Sequence, residues 1–470
     1  MVEPNSSSKD PMPIFWALLL WSSIGIGLGL IVEIVFAQMA AGAWIWEGLN
    51  LDSTTWFDVS RSTITTVGIF GVGGAALLAY RRQHTTERQH SLDERKQGAE
   101  DKADLRARYT TAAEQLGHEK PAVRLAGVYA MAALADDWHS AEEDEQRRIC
   151  IDVLCAYLRM EYVPEPEGAK TGEKEVRQTV IKVIANHLLD PSNTMSWCDI
   201  SLDFTGAVFD GGDFSGAKFT GGDVNFTAAA FIGGSVAFDA AEFSGGNVDF
   251  RNARFSGGEV NFTGAEFIGG NVTFDAAEFN GGNVNFSNAH FADGTVSFFK
   301  AAFISGLVNF SRSEVRGSSI IFTDTNFTGG NITFSNAKFT GGNVTFSRAK
   351  FTKGGISFGS AAFSSGIVNF NGATFATASA TFAKAKFIGG VASFAKSKFV
   401  SGSVSFEAAA FTGGRVSFDS AEFDGATVSF LKAQGSGPAV VSFENVASWE
   451  YPPKFSWAQG SSPTWVLPSL

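Results

Sequence analysis

Between Phe219 and Phe430 the chain repeats itself every twelve residues, eighteen times over. One repeat reads Phe255-Ser-Gly-Gly-Glu-Val260-Asn-Phe262-Thr-Gly-Ala265-Glu, and the next opens at Phe267. One phenylalanine series runs from Phe219 to Phe423 with a single exception, Val315; a second runs unbroken from Phe226 to Phe430. Self-similarity at so short a period restricts the segment to a solenoid, in which each unit buries its core only against its neighbours. Val-x-Phe sets two apolar side chains on one side of an extended segment, the period of a β-strand. The residue between them is nearly always Asn, Ser or Thr, as at Asn261, Thr273 and Ser297, and is expected to face solvent. Gly-Gly pairs recur between strands (Gly233-Gly234, Gly257-Gly258, Gly269-Gly270, Gly329-Gly330). Glycine supplies the positive φ that a corner needs.

The two series account for 35 of the 45 phenylalanines. Stacked coil on coil, they predict aromatic ladders inside the solenoid, beginning with Phe219, Phe226, Phe231, Phe238, Phe243, Phe250, Phe255, Phe262, Phe267 and Phe274. Burying each ring contributes about 1.5–3 kcal/mol before chain entropy is subtracted. That is how so glycine-rich a segment can fold. A twelve-residue coil would force two rings to face each other in a very thin tube. A coil of 24 residues gives four sides, each with one Phe and one small residue inside, and is favoured. About ten such coils at ~4.8 Å per rung make a rod of roughly 45–50 Å.

The opening turns resemble the pentapeptide-repeat family. Phe204, Phe209, Phe214 and Phe219 are five apart, with Ala207 and Ala217 two positions before their Phe. The resemblance covers about half the chain and implies a right-handed quadrilateral β-helix. From Phe219 onward every second unit carries two extra residues, usually the Gly-Gly corner, which departs from the family's simplest pattern. The run Tyr109 to Gly117, with Val123 to Ala130 and Cys150 to Glu161, resembles the linker of membrane-anchored bacterial members. The expected fold class is therefore mainly β solenoid, preceded by two transmembrane helices and a small α-helical module.

Ahead of the repeats the composition changes. Residues 1–12 are short, polar and read as disordered. Residues 13–80 read as a two-span hairpin. Ile14 to Phe36 is apolar apart from Ser22, Ser23 and Glu33, and Ile64 to Tyr80 is Gly- and Ala-rich and stopped by Arg81-Arg82. Each is long enough for a hydrocarbon core of ~30 Å. A signal peptide fits the first stretch less well, since the stretch is too long and lacks a basic start. Trp44, Trp46 and Trp56 in the connecting loop suit an interface, and Arg81, Arg82, Arg88, Arg95 and Lys96 follow the second span. The positive-inside rule then places the N-terminus and the solenoid in the cytoplasm. Gly25-x-x-x-Gly29 and the row Gly71, Ala75, Ala79 are small-residue faces that would let the two helices pack closely within one chain, or pair with another copy. Glu33 lies near the outer end of its helix, where it reaches headgroups or water.

Residues 81–117 carry mixed charge without an apolar stripe and read as a solvated helical stalk. Residues 118–192 read as three amphipathic helices: one from Pro121, one over Glu142–Tyr162 and one over Glu173–Leu189. The β-helix then occupies 193–434. The tail, 435–470, breaks the period at Gln434-Gly-Ser-Gly-Pro438 and carries Trp449, Tyr451, Phe455, Trp457 and Trp465. It reads as a cap over the open solenoid end.

No catalytic, cofactor or metal constellation is evident, and the expectation is a non-enzymatic chain. Cys150, Cys155 and Cys198 make neither a disulfide framework nor a metal pattern. His290 sits where Glu266, Glu278 or Lys338 sit in other repeats, so it reads as solvated. Net charge is −12, with no basic nucleic-acid signature. Along the solenoid, however, charge is zoned: net −9 from Asp203 to Asp293, +9 from Lys300 to Lys398 and −3 from Ser401 to Glu444. Lys384, Lys386, Lys396 and Lys398 are candidate docking charges toward a partner or another copy. The expected function is a membrane-anchored, cytoplasmic protein-binding scaffold. The alternative comes from the resemblance: some pentapeptide-repeat proteins imitate DNA and bind gyrase. That needs an acidic surface along the whole rod, and here only the first zone is acidic.

Overall fold

The structure is a computed structural model that describes residues 14–48, 50–164, 172–448, 454–455 and 463–467. Side chains at 14–22, 66–67, 69–78, 81 and 85–87 lie outside that description. The chain divides into two compact units, Met1–Ala103 and Asp104–Leu470, with the division falling inside a helix.

The first unit holds helix α1, Ile14–Ala41, a 3-10 turn at Ile45–Glu47, and the start of helix α2, Ser53–Leu116. Helix α2 runs without interruption through the second apolar stretch and the charged stalk expected to continue from it. Proline is absent from it and its charged half supplies strong helix formers, so nothing in the backbone breaks the ladder. Among the described residues one stretch, Ser23–Ala41, is long and apolar enough to cross a membrane, a property that spans and signal sequences share. Most side chains of the second expected span, with Gly71 and Ala75, lie outside the described residues. The Ser60 hydroxyl donates to the Glu33 carboxylate at 3.3 Å, so Glu33 faces α2. A Cβ added to Gly25 would meet nothing within 4 Å.

The second unit begins with the end of α2 and continues through α3 (Pro121–Ser140), α4 (Asp144–Arg159) and α5 (Glu173–His187). Pro121 stands in the first turn of α3, where its missing N–H costs nothing. Val128, Met131, Leu134, Trp138, Leu154, Leu158, Val180 and Ile184 form the interior of this module. It is continuous with the solenoid core.

The solenoid has about eleven turns. A representative coil has four sides, numbered in chain order: side 1 at Glu266–Phe267, side 2 at Asn271–Thr273, side 3 at Glu278–Phe279 and side 4 at Asn283–Asn285. Each pairs in parallel with the same side one coil on: Phe267 with Phe291, Val272 with Val296, Phe279 with Phe303, Val284 with Val308. The register is thus 24 residues. Only the opening coil is shorter, pairing Leu202 with Val224 and Phe209 with Phe231. Strands Val208–Asp213 and Ala230–Ala237 bend through the corner between sides 3 and 4. They join those two sides into one sheet. Each side buries one small residue and one Phe: Ala265 and Phe267, Val272 and Phe274, Ala277 and Phe279, Val284 and Phe286.

Inside, rings one coil apart stack. Phe250–Phe274 and Phe274–Phe298 are 4.7 and 4.8 Å between centroids and within 5° of parallel. Rings of sides 2 and 4 meet edge to face across the centre, as Phe274–Phe286 at 6.1 Å and 90°. Rings of sides 1 and 3 lean on them at about 45–50°, as Phe274–Phe279 at 45°. Both favoured aromatic geometries are therefore repeated in every coil.

Positive φ falls at the expected Gly-Gly corners at Gly234, Gly258 and Gly270, though not at Gly329-Gly330, and also at a second place that the sequence did not mark. The regular positive φ falls two residues after the side 2 or side 4 Phe, where a tight turn closes from the Phe carbonyl to the Ala amide (Ala277 N to Phe274 O, 3.1 Å). Few of those residues are glycine: Ala276 has φ 55°, Asn288 58°, Lys384 58° and Lys396 58°. Many of the paired glycines answer a different need. A Cβ on Gly341 would lie well under 3.0 Å from the Arg316 carbonyl oxygen of the previous coil. Backbones there approach too closely for a side chain, and only some of these glycines, such as Gly258 and Gly270, also have positive φ.

Candidate interaction surfaces

The four sides are not equivalent outside. Sides 2 and 4 carry Val-x-Phe strands, and the residue between faces out. On side 4 every outward strand residue from Asn283 to Ser429 is uncharged, and on side 2 the same holds from Asn271 to Ser393. The rows are mostly Asn, Ser and Thr, with Leu307 and Ile367 at 37% and 46% exposure. Asparagine side chains reach along them: Asn247 Nδ2 donates to Asp223 Oδ1 at 3.1 Å, and Asn271 Nδ2 to Asn247 Oδ1 at 3.1 Å. Sides 1 and 3 carry Ala-x-Phe strands whose outward residue is often Glu, Lys or Arg.

Because twelve residues are half a coil, the four candidate lysines separate. Lys386 lies on side 1 and Lys398 on side 3. Lys384 and Lys396 occupy the positive-φ turns leading into those same strands. The structure therefore brings Lys384 near Lys386, and Lys396 near Lys398, but sets the two pairs on opposite sides. Lys398 Nζ is also bound by Glu422 Oε2 at 2.9 Å. His290 is exposed on side 1, 3.9 Å from Glu314.

The acidic charge of the opening coil is largely engaged. Arg159 of α4 pairs with Asp203, and Lys174 of α5 reaches Asp210 at 3.0 Å. Buried Arg177 spans the joint, donating to the carbonyls of Tyr157, Leu158 and Val208, with its guanidinium 4.6 Å over the Tyr162 ring. Burial pulls its pKa down without a change of charge state. At the far end of α5 lies a network that sequence reading missed. Asp136 of α3 accepts from His187 Nε2 at 3.1 Å and from Trp197 Nε1 at 3.3 Å, while His187 stacks on Trp197 at 4.1 Å. His187 Nδ1 faces the Val183 carbonyl at 2.8 Å. Burial pulls the imidazolium down, but the hydrogen bonds to Asp136 and Val183 outweigh it and raise the pKa above the ordinary histidine value. No sequence motif marks this set, since its members come from α3, α5 and the following loop.

At the other end the tail continues the solenoid. Val440–Ser442 pairs on side 2 after a 25-residue step, and Val466–Leu467 adds a last strand. Gly435 stands where the side 1 ladder calls for Phe, and Trp465 fills the place, stacking on Phe411 at 5.3 Å. Phe443 stacks on Phe418 and Phe455 on Phe430. Trp449, Tyr451 and Trp457 lie outside the described residues.

Cys150, Cys155 and Cys198 are buried free thiols, and burial pushes Cys150 and Cys155 up to about 12. Among the described residues no group of three or more His, Cys, Asp or Glu is placed to hold a metal ion. No family model, no curated protein and no solved structure matches the chain. What the geometry establishes is a β-solenoid of about eleven turns, whose regular phenylalanine spacing fits a pentapeptide-repeat-type fold.

Proposed function

We propose that the chain is a non-enzymatic, membrane-anchored scaffold whose solenoid presents sides 2 and 4 to a protein partner in the cytoplasm. The observation that carries this reading is the long charge-free row on each of two opposite sides. Charged side chains are depleted from the centres of protein interfaces, because burying them costs solvation that their new partners rarely restore. Short Asn, Ser and Thr side chains on a β-face lose little entropy on contact. A continuous ring ladder beneath them limits the reorganisation a partner must overcome. The apolar stretch Ser23–Ala41 supports the anchor, and the basic residues after Tyr80 support cytoplasmic placement.

The test is recovery of partners from native membranes with the full chain and with a variant carrying Asn285→Arg, Thr333→Arg and Thr381→Arg on side 4. Cutting the solenoid away is a poorer test, since α5 packs directly on the first coil. A protein recovered with the unaltered chain and lost with the variant supports the scaffold. Identical recoveries for this variant and for a matching side 2 variant refute it.

A further inference from the structure

Where the end of α2 meets α3, α4 and the start of α5, the helical module holds a cleft of about 600 Å³, a size usual for small-molecule sites. Leu116 of α2, Val153 of α4, and Met160 and Val163 just after α4 give it an apolar wall. Met160 and Val163 stand at 59% and 44% exposure, so part of that wall is open to solvent. Its polar groups gather at one corner: Arg124 of α3, Tyr157 of α4 and Glu173 of α5. Arg124 is only 2% exposed. Its Nη1 donates to the carbonyls of His118 and Glu119 at 3.0 and 2.8 Å, which ties the guanidinium to the turn between α2 and α3. The other edge, Nε with Nη2, is buried and, among the described residues, has no hydrogen-bond acceptor. Glu173 Oε2 lies 3.2 Å from Nη2, close enough to balance the charge but not aligned to accept. That carboxylate instead accepts from the Tyr157 hydroxyl at 3.1 Å. Burial and the neighbouring Glu173 push Tyr157 up to about 12, so its proton stays in place. The corner is therefore balanced in charge and short of acceptors.

We propose that this cleft binds an uncharged amphiphile, an apolar body whose carbonyl oxygen lies on the Nε–Nη2 edge of Arg124. The guanidinium is planar and points one N–H from each of those nitrogens to the same side, so a single oxygen can accept from both. A buried donor left without an acceptor is costly, and an oxygen placed there removes that cost.

Charge selects a neutral ligand. Glu173 already balances Arg124, and Glu161 adds a second carboxylate to the lining, so an anion would be buried without a free counter-charge. Water can satisfy the Arg124 edge, but it finds few hydrogen bonds over Leu116, Val153, Met160 and Val163. An apolar body therefore displaces it favourably. This inference concerns the helical module and is independent of the scaffold reading, which rests on sides 2 and 4.

The probe is benzophenone, an uncharged aromatic ketone that inserts into nearby C–H bonds, those of methionine readily, when excited in the near ultraviolet. The full chain in non-ionic detergent is irradiated with graded benzophenone, and the labelled peptides are mapped by mass spectrometry. Labelling is expected to saturate and to fall on Met160, Val163 and Leu116. Dibenzyl ketone in excess is expected to suppress it. Diphenylmethane, which has the shape of benzophenone without the oxygen, is expected to compete about tenfold less well, the difference that one hydrogen-bonded oxygen makes. The comparison of competitors uses the unaltered chain, so misfolding cannot imitate it. Arg124→Gln is expected to bring the two competitors level, and Val153→Trp, which fills the cleft and leaves Arg124 in place, to abolish labelling. Equal competition by diphenylmethane in the unaltered chain overturns the proposal. Preferred labelling by the anion 4-benzoylbenzoate overturns it as well, since the ligand would then be charged. So does labelling that spreads over α1 and the solenoid without saturating, which is partition only. Labelling that appears only after residues 165–171 are replaced by a Gly-Ser linker overturns it too, because the chain itself would then fill the cleft.

Discussion

The break in the ladder at Val315 offers a direct measure of what ring stacking adds to this core. Phe279 stacks on Phe255 and Phe303, both at 4.7 Å, and leans on Phe274 and Phe298. Phe291 leans on Phe286 and Phe310 in the same way, but it stacks on one ring only, Phe267 at 4.8 Å, since Val315 occupies the next rung. Both rings are fully buried, at 0% exposure. Replacing either with Leu therefore removes the same transfer free energy and a similar volume, and the difference between the two isolates one stacked pair. That pair contributes about 0.5–1.5 kcal/mol beyond burial. Phe279→Leu is expected to destabilise the solenoid by roughly 1 kcal/mol more than Phe291→Leu. Adding Val315→Phe should make Phe291→Leu as costly as Phe279→Leu, a coupling read from a double-mutant cycle. The assay is guanidinium unfolding of the solenoid, with hydrogen exchange to localise the loss, since stacked repeats need not unfold in one step. Equal costs at the two positions, with no coupling to residue 315, would refute the stacking argument and leave burial alone as the source of stability.

Further expectations come from the corners and the helical module. Ala276→Gly, at φ 55°, should stabilise by about 0.5–1 kcal/mol, and Asn336→Gly by less because Asn tolerates that conformation; denaturation midpoints decide. Gly341→Ala should cost more than about 2 kcal/mol through collision with the Arg316 carbonyl, whereas Gly359→Ala, whose Cβ would meet nothing closer than 3.5 Å, should be near neutral in the same assay. His187 has a folded pKa above its unfolded value of 6.5, so its protonation favours the folded state. The gain is complete below that value and is lost as pH rises through the folded pKa. Between about pH 6 and 8.5 the wild-type melting temperature should fall more than that of His187→Gln, and parallel curves would exclude the Asp136 contact as the cause. Cys150 and Cys155, buried and pushed up to about 12, should resist iodoacetamide at about pH 8 until denaturant is added.

Much of the fold was legible because a repeat states its own contacts. A residue that recurs every 24 positions on the same side must meet its equivalents above and below, so Phe250, Phe274 and Phe298 could be placed in one column from spacing alone. The corners were less legible. Gly-Gly was read as the source of positive φ, and Gly234, Gly258 and Gly270 have it, but a second periodic series falls on residues such as Ala276 and Lys384 that nothing in the repeat marks. Many of the paired glycines answer to how near the next coil's backbone comes, a distance that no single repeat contains. The four lysines show the same limit. They look like one basic cluster in the sequence, but half a coil separates Lys386 from Lys398 and sends them to opposite sides.

By itself, the sequence determined the solenoid, its coil of 24 residues, its aromatic interior and the uncharged rows outside it. Period and side-chain polarity settle those features locally, and every repeat restates them. Tertiary structure alone decided the rest. It joined Asp136, His187 and Trp197 across three segments and set Trp465 in the gap at Gly435. It also divided the charges between sides. Each of these depends on where distant parts of the chain meet, and desolvation and close packing act only there.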